Sequence, residues 1–213
     1  MVTRRSWLQS LTENVKGALS SDDKEKVYFF GLQLLIRAFG EDTLRARFAE
    51  VIADPDGALE DVAAKRRYLK RIVALMLDQE AYWSQAFWDY KTKPDETEAE
   101  FEAWTAEISA ITATEHEEVG TEVDGAYRLS SNKDYVGITV VFKLNAPYPP
   151  AEIEDETTYW TSTTVAKLVR GLLLINPDTI LADGVFITPG SSEDGLSEED
   201  LLTGGWSYLR VLN

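Results

Sequence analysis

The chain of 213 residues is 44% hydrophobic and 27% charged, enough apolar content for one sizeable core or two small ones sharing an interface. Its 37 acidic against 21 basic side chains give a net charge of −16, a field that repels phosphate backbones and argues against a nucleic-acid partner. With no cysteine, disulfides, thiolate metal sites, iron–sulfur clusters and cysteine nucleophiles are excluded.

Near the start, Arg4-Arg5 is followed by Trp7, Leu8, Leu11, Val15 and Leu19 at helical spacing. Such a stripe docks on its own domain or on a partner, and residues 4–19 also offer a peripheral membrane contact. No apolar signal-peptide core follows, and a cytoplasmic location is expected. The run Val27–Phe39, interrupted by Gln33 and Arg37, predicts a buried core helix with N-cap candidates at Ser20–Asp23 and a stop at Gly40. A shorter helix is expected over Glu41–Ile52, ended by the turn residues Asp54-Pro55-Asp56-Gly57. Leu59, Val62, Leu69, Ile72, Val73 and Met76 mark the core stripe of another helix, with Lys65, Arg66, Arg67, Lys70 and Arg71 as its solvated face.

Tyr82, Trp83, Phe87, Trp88 and Tyr90 form the largest aromatic concentration. Read as a helix, Trp83, Phe87 and Tyr90 share one buried face, which leaves Tyr82 and Trp88 as contact residues. Lys93-Pro94-Asp95-Glu96 opens a helix with acids in its favourable first turn. Phe101, Trp104, Ile108 and Ile111 are its apolar face, and Glu98 and Glu102 belong to its acidic one. The sole histidine, His116, lies among Glu115, Glu117 and Glu118; adjacent residues of a helix do not face one another, so a structural histidine is expected rather than a metal ligand or base.

Around Gly120–Gly125 helical periodicity gives way to β patterning. Tyr127–Leu129 suggests a short strand, and Val136–Leu144 alternates cleanly enough to predict one. Prolines at 147, 149 and 150 end it. Val165, Leu168, Val169, Leu172 and Leu173 predict a helix over Thr163–Leu173, stopped at Asn176-Pro177. Ile180–Thr188 reads as a strand with an irregularity at Asp183-Gly184. Ser197 is an N-cap with Asp200 in the capping-box position, a reading preferred to calcium binding by the acidic loop, which lacks the alternating ligands of an EF-hand.

Several of these segments resemble an uncharacterised family, the domain of unknown function numbered 1517, over roughly residues 58–213. The shared features are Tyr82-Trp83 at the end of a helical region and the acidic helix end Glu115–Glu118. They continue with the strand Tyr135–Val141, then Thr188-Pro189, and then Leu196-Ser197 with Leu201-Leu202. Gly184 and Ile187 stand where that family usually has an acid and a tryptophan. The resemblance implies an α+β fold and supplies no catalytic residues. Plant members are associated with plastid membranes, a role that does not carry over to this chain.

Phosphate-loop, dinucleotide-turn and nucleophile-elbow motifs are absent from the sequence. The expected architecture is α+β: an N-terminal helical region, 1–119, followed by an α+β region, 120–213, a small sheet with one packed helix, the two packed as one unit. The leading functional reading is a non-enzymatic interaction or assembly module without cofactor or metal. It uses Tyr82, Trp88, Glu98 and Glu102 to meet a partner that is basic or has an apolar groove. The alternatives are a carboxylate-based hydrolase and a small-ligand sensor with a pocket between the two regions.

Overall fold

The computed structural model describes residues 26–57, 61–114, 131–203 and 205–213, with the backbone alone at 109–114 and 203. Its centre is a five-stranded antiparallel sheet. The strands are β1 (Tyr28–Arg37), β2 (Trp83–Lys91), β3 (Tyr135–Leu144), β4 (Ile180–Thr188) and the short β5 (Arg210–Val211), in the spatial order β4-β3-β1-β2-β5. Among the described residues five helices accompany it: α1 (Thr43–Ile52), α2 (Val62–Asp78), α3 (Pro94–Thr114), α4 (Ser162–Gly171) and α5 (Glu198–Thr203).

The α+β class holds, but the N-terminal helical region does not: the sheet begins at Tyr28. The run expected to be a core helix is the central strand. β1 is paired on both edges and covered on both faces, so nearly every position is buried and no alternation is visible. β2 corrects a second helical expectation. Its aromatics fall on both faces of a strand, and Trp88 points into the core, only 8% exposed. Strands from either side of residue 120 interleave, with β1 between β2 and β3. Helices cover both faces rather than one helix covering one.

Elsewhere the local chemistry acts as its residue types suggest. The Asp61 carboxylate accepts from the Ala64 amide at 2.6 Å and starts α2, while Leu69, Ile72, Val73 and Met76 are buried beneath it. Thr161 caps α4 through the Thr164 amide. The capping box at α5 is formed: Asp200 Oδ2 accepts from the Ser197 amide and hydroxyl, and the Asp200 amide donates to Ser197 Oγ. β4 has the expected bounds, but its register shift falls at Leu181 rather than at Asp183-Gly184.

The two faces of the sheet are covered differently. On the first, Phe30, Leu32, Leu34 and Ile36 of β1 and the even-numbered residues of β3 meet α1, α2 and α4 in one continuous core. On the second, α3 covers one end through Phe101, Trp104 and Ile108, packed on Phe29 and Val141. The other end is covered by Leu196, Leu201, Trp206 and Leu209, packed on Leu35 and Tyr135. Among the described residues no helix is long and apolar enough to cross a membrane.

Candidate functional site

The four residues expected to form a contact surface do not come together. Tyr82 stands at the entry to β2 and is 45% exposed. Glu98 and Glu102 lie on α3, which begins beyond the far end of that strand, about 30 Å away at ~3.3 Å per residue. Glu98 receives the Lys143 ammonium from β3, whereas Glu102 is exposed. Trp88 is spent in the core, its indole N–H donating to the Tyr159 carbonyl at 3.1 Å. His116, the helix expected within residues 4–19 and the strand expected at Tyr127–Leu129 lie outside the described residues.

Tyr82 does have an aromatic companion that sequence reasoning missed. Phe39 follows β1 with φ of 56°, and Gly40 follows it with φ of 81°. Two consecutive left-handed residues reverse the chain, and bonds from the Ala38 and Gly40 amides to the carbonyls of Asp134 and Lys133, both 2.8 Å, hold the reversal. The turn projects the Phe39 ring outward, 66% exposed, edge-on to Tyr82 with centroids 5.2 Å apart. The pair borders an open hollow of about 300 Å³ that Leu44, Arg37, Arg47 and Glu41 also line. Arg37 has no side-chain partner among the described residues, and Arg47 makes a single exposed contact with Asp78 at 3.4 Å. The signal in the sequence was Phe39-Gly40 itself, an aromatic directly before a helix- or strand-stopping glycine.

A second concavity lies on the divided face of the sheet, where α3 and the C-terminal segment meet. Its floor is one transverse row of the sheet, in which Gln33 lies between Thr139 and Phe87. Gln33 is 5% and Thr139 3% exposed. Tyr208 from the C-terminal segment donates to Gln33 Oε1 at 2.7 Å. Neither the Gln33 amide nitrogen nor the Thr139 hydroxyl has a hydrogen-bond partner among the described residues. Phe87, Trp104 and Tyr208 make the walls, and Glu100 and Glu107 of α3 stand along the opening. Gly31 lets the α3 wall come close: a Cβ there would sit 3.0 Å from the Trp104 ring.

The carboxyl that burial perturbs lies in neither concavity. Burial raises the Asp183 carboxyl above its ordinary value, opposed by Lys65. Lys65 Nζ donates to both Asp183 oxygens at 3.0 and 3.1 Å and to the Gly57 carbonyl. Asp183 lies on the α2 side of β4, lining neither the hollow nor the cleft. At the start of α1, Asp42 is held below the usual carboxylate range by its hydrogen bond from Arg45, with Lys133 adding to the effect. Arg45 also donates to the Gly190 carbonyl and Lys133 to the Ser192 carbonyl. These contacts fasten the loop after β4 to α1 and leave their charges satisfied. Among the described residues no three His, Asp or Glu side chains gather in a way that could hold a metal. No family model, no curated protein and no solved structure matches this chain.

Proposed function

We propose that this protein is a non-enzymatic interaction module whose contact surface is the Phe39–Tyr82 hollow. The observation that carries the proposal is the placement of Phe39. A bulky residue in the left-handed region costs of order 1 kcal/mol or more, and this one recovers little by burial, since most of the ring faces water. A partner that covers the ring gains what folding does not. Paired exposed aromatics with arginine beside them have the composition of an interface hot spot.

The local charge gives the partner its chemistry. Arg37, without a side-chain partner among the described residues, puts a positive charge on this rim of a strongly acidic chain. The partner is a protein with an apolar side chain or groove for Phe39 and Tyr82, and a carboxylate placed to meet Arg37. A basic partner remains a proposal for the opposite region, where Glu102 is exposed and Glu98 is already engaged by Lys143. The relationship to family 1517 is likewise a proposal, and it adds no residue to this surface. The small-ligand reading has its own support in the cleft between α3 and the C-terminal segment.

The test uses three baits in native lysate: wild type, Phe39→Ser and Glu102→Gln. Proteins retained by wild type and Glu102→Gln but lost from Phe39→Ser support the hollow as the contact surface. Identical captures by all three baits overturn it.

A further inference from the structure

The structure assigns a second site, independent of the contact surface: we propose that the cleft between α3 and the C-terminal segment binds a small organic ammonium ion bearing a hydroxyl or carbonyl oxygen. Size comes first. The cleft holds about 130 Å³, well below the ~300–1,000 Å³ of sites for drug-sized ligands. A nucleotide or flavin does not fit; a molecule of a few heavy atoms does.

The walls favour a cation. Phe87 packs nearly parallel to Trp104, at 23° and 5.9 Å, and nearly perpendicular to Tyr208, at 76° and 5.4 Å. The three rings therefore turn a corner, and aromatic faces within ~6 Å attract an alkylated or primary ammonium. Two carboxylates, Glu100 and Glu107, line the same space, and among the described residues no lysine or arginine does. Glu100 accepts from the Trp104 indole N–H at 3.1 Å, which fixes the orientation of that ring while leaving a second carboxylate oxygen. The net charge of −16 raises the local concentration of cations around the whole molecule.

The floor asks for an oxygen. Both Gln33 and Thr139 are more than nine-tenths buried, and both line the cleft. Tyr208 occupies the Gln33 carbonyl, so the amide nitrogen is the donor left over, beside a hydroxyl that can donate or accept. Neither atom is sealed from solvent, so a ligand entering the cleft can reach both. A ligand oxygen placed on this row satisfies both while its ammonium end rests among the rings and glutamates. Charge at one end and an acceptor at the other is the pattern of an amino alcohol.

Calorimetric titration of the full chain tests the proposal. Choline and ethanolamine are the probes. The controls are 3,3-dimethyl-1-butanol, which keeps the shape of choline without its charge, and tetramethylammonium, which keeps the charge without the oxygen. All are compared at matched ionic strength. One probe should saturate a single site per chain below about 10 mM, and each control should bind at least about tenfold more weakly. Thr139→Val should erase the advantage of the probe over tetramethylammonium, and Glu107→Gln should weaken every cation. Glu107 lies at the opening, so that variant carries the comparison if Thr139→Val does not fold. Phe39→Ser, remote from the cleft, should bind as wild type, which separates this site from the protein-contact surface. The proposal is overturned if neither probe saturates, as when the floor holds only water. It is also overturned if the neutral alcohol binds as well as choline, or if the folded variants bind as tightly as wild type.

Discussion

The two faces of the sheet are made from the same strands yet serve different ends. On the α1–α2–α4 face the sheet and its covering helices share one continuous, largely apolar core. On the other face, the row Thr139–Gln33–Phe87 falls between α3 and the C-terminal segment. Alternate residues of one strand therefore feed a closed core and an open cleft. Polar residues in a central strand thus mark a seam in the cover, since a sealed face would leave their hydrogen bonds unmet.

Substitutions at nearby positions of β3 should separate the two faces most clearly. Phe142 is fully buried on the closed face. Phe142→Ala should cost about 3–5 kcal/mol, the usual penalty for a large cavity in a packed core. Thr139→Val, of nearly the same shape, removes an unpartnered hydroxyl and should leave stability unchanged or raise it by up to ~1 kcal/mol. Urea unfolding curves read both. Equal losses would mean that the second face is as tightly closed as the first.

The same difference explains what the sequence could and could not reveal. β3 was legible because Val136 to Leu144 alternates between a wholly apolar face and one holding Gly137, Thr139 and Lys143. α2 and α4 were legible because each has one buried stripe. β1 was not: with cover on both faces, Tyr28–Arg37 has no period, and its length matches a short helix. β2 misled through spacing, since Trp83, Phe87 and Tyr90 recur at helical intervals. The β-preference of Trp, Phe and Tyr was the better guide. Of the candidate site, Tyr82 and the buried face Phe101–Trp104–Ile108 were in reach. The cleft floor was not, because Gln33 looked like an interruption of an apolar run. Its partner in the row, Thr139, is set beside it only by the register between β1 and β3.

The closed face also holds a buried ion pair. Lys65 and Asp183 have side chains only 13% and 15% exposed. Removing one partner of such a pair strands the other, so Lys65→Met should cost about 3 kcal/mol, and Lys65→Met/Asp183→Leu should recover most of it. A pH signature should accompany the loss. A carboxyl raised in the folded state, as burial raises Asp183, favours folding most below its unfolded value of ~3.9. That contribution is lost as pH rises through the folded value. Lys65→Met removes the ammonium that opposes the rise, so its stability should fall more steeply above pH ~4 than that of wild type. The double variant should lose the extra slope. Parallel stability–pH curves for wild type and Lys65→Met would show that Asp183 stays solvated.

The smallest effect on stability belongs to the residue given the largest role in binding. Phe39→Gly relieves a left-handed conformation that glycine adopts freely, a gain of up to about 1 kcal/mol. It also removes the edge-on contact with Tyr82, a loss of roughly 0.5–1.5 kcal/mol. These terms oppose, so thermal and urea unfolding should place the variant within about 1 kcal/mol of wild type. Partner capture should nevertheless fall sharply, because an exposed anchoring ring contributes to association and hardly to folding. Phe142→Ala should do the reverse, lowering stability while capture by the protein that remains folded is unchanged. A loss above ~2 kcal/mol for Phe39→Gly would assign that ring to the fold, since no loss of that size comes from a side chain facing water. The contact surface would then have to be sought without it.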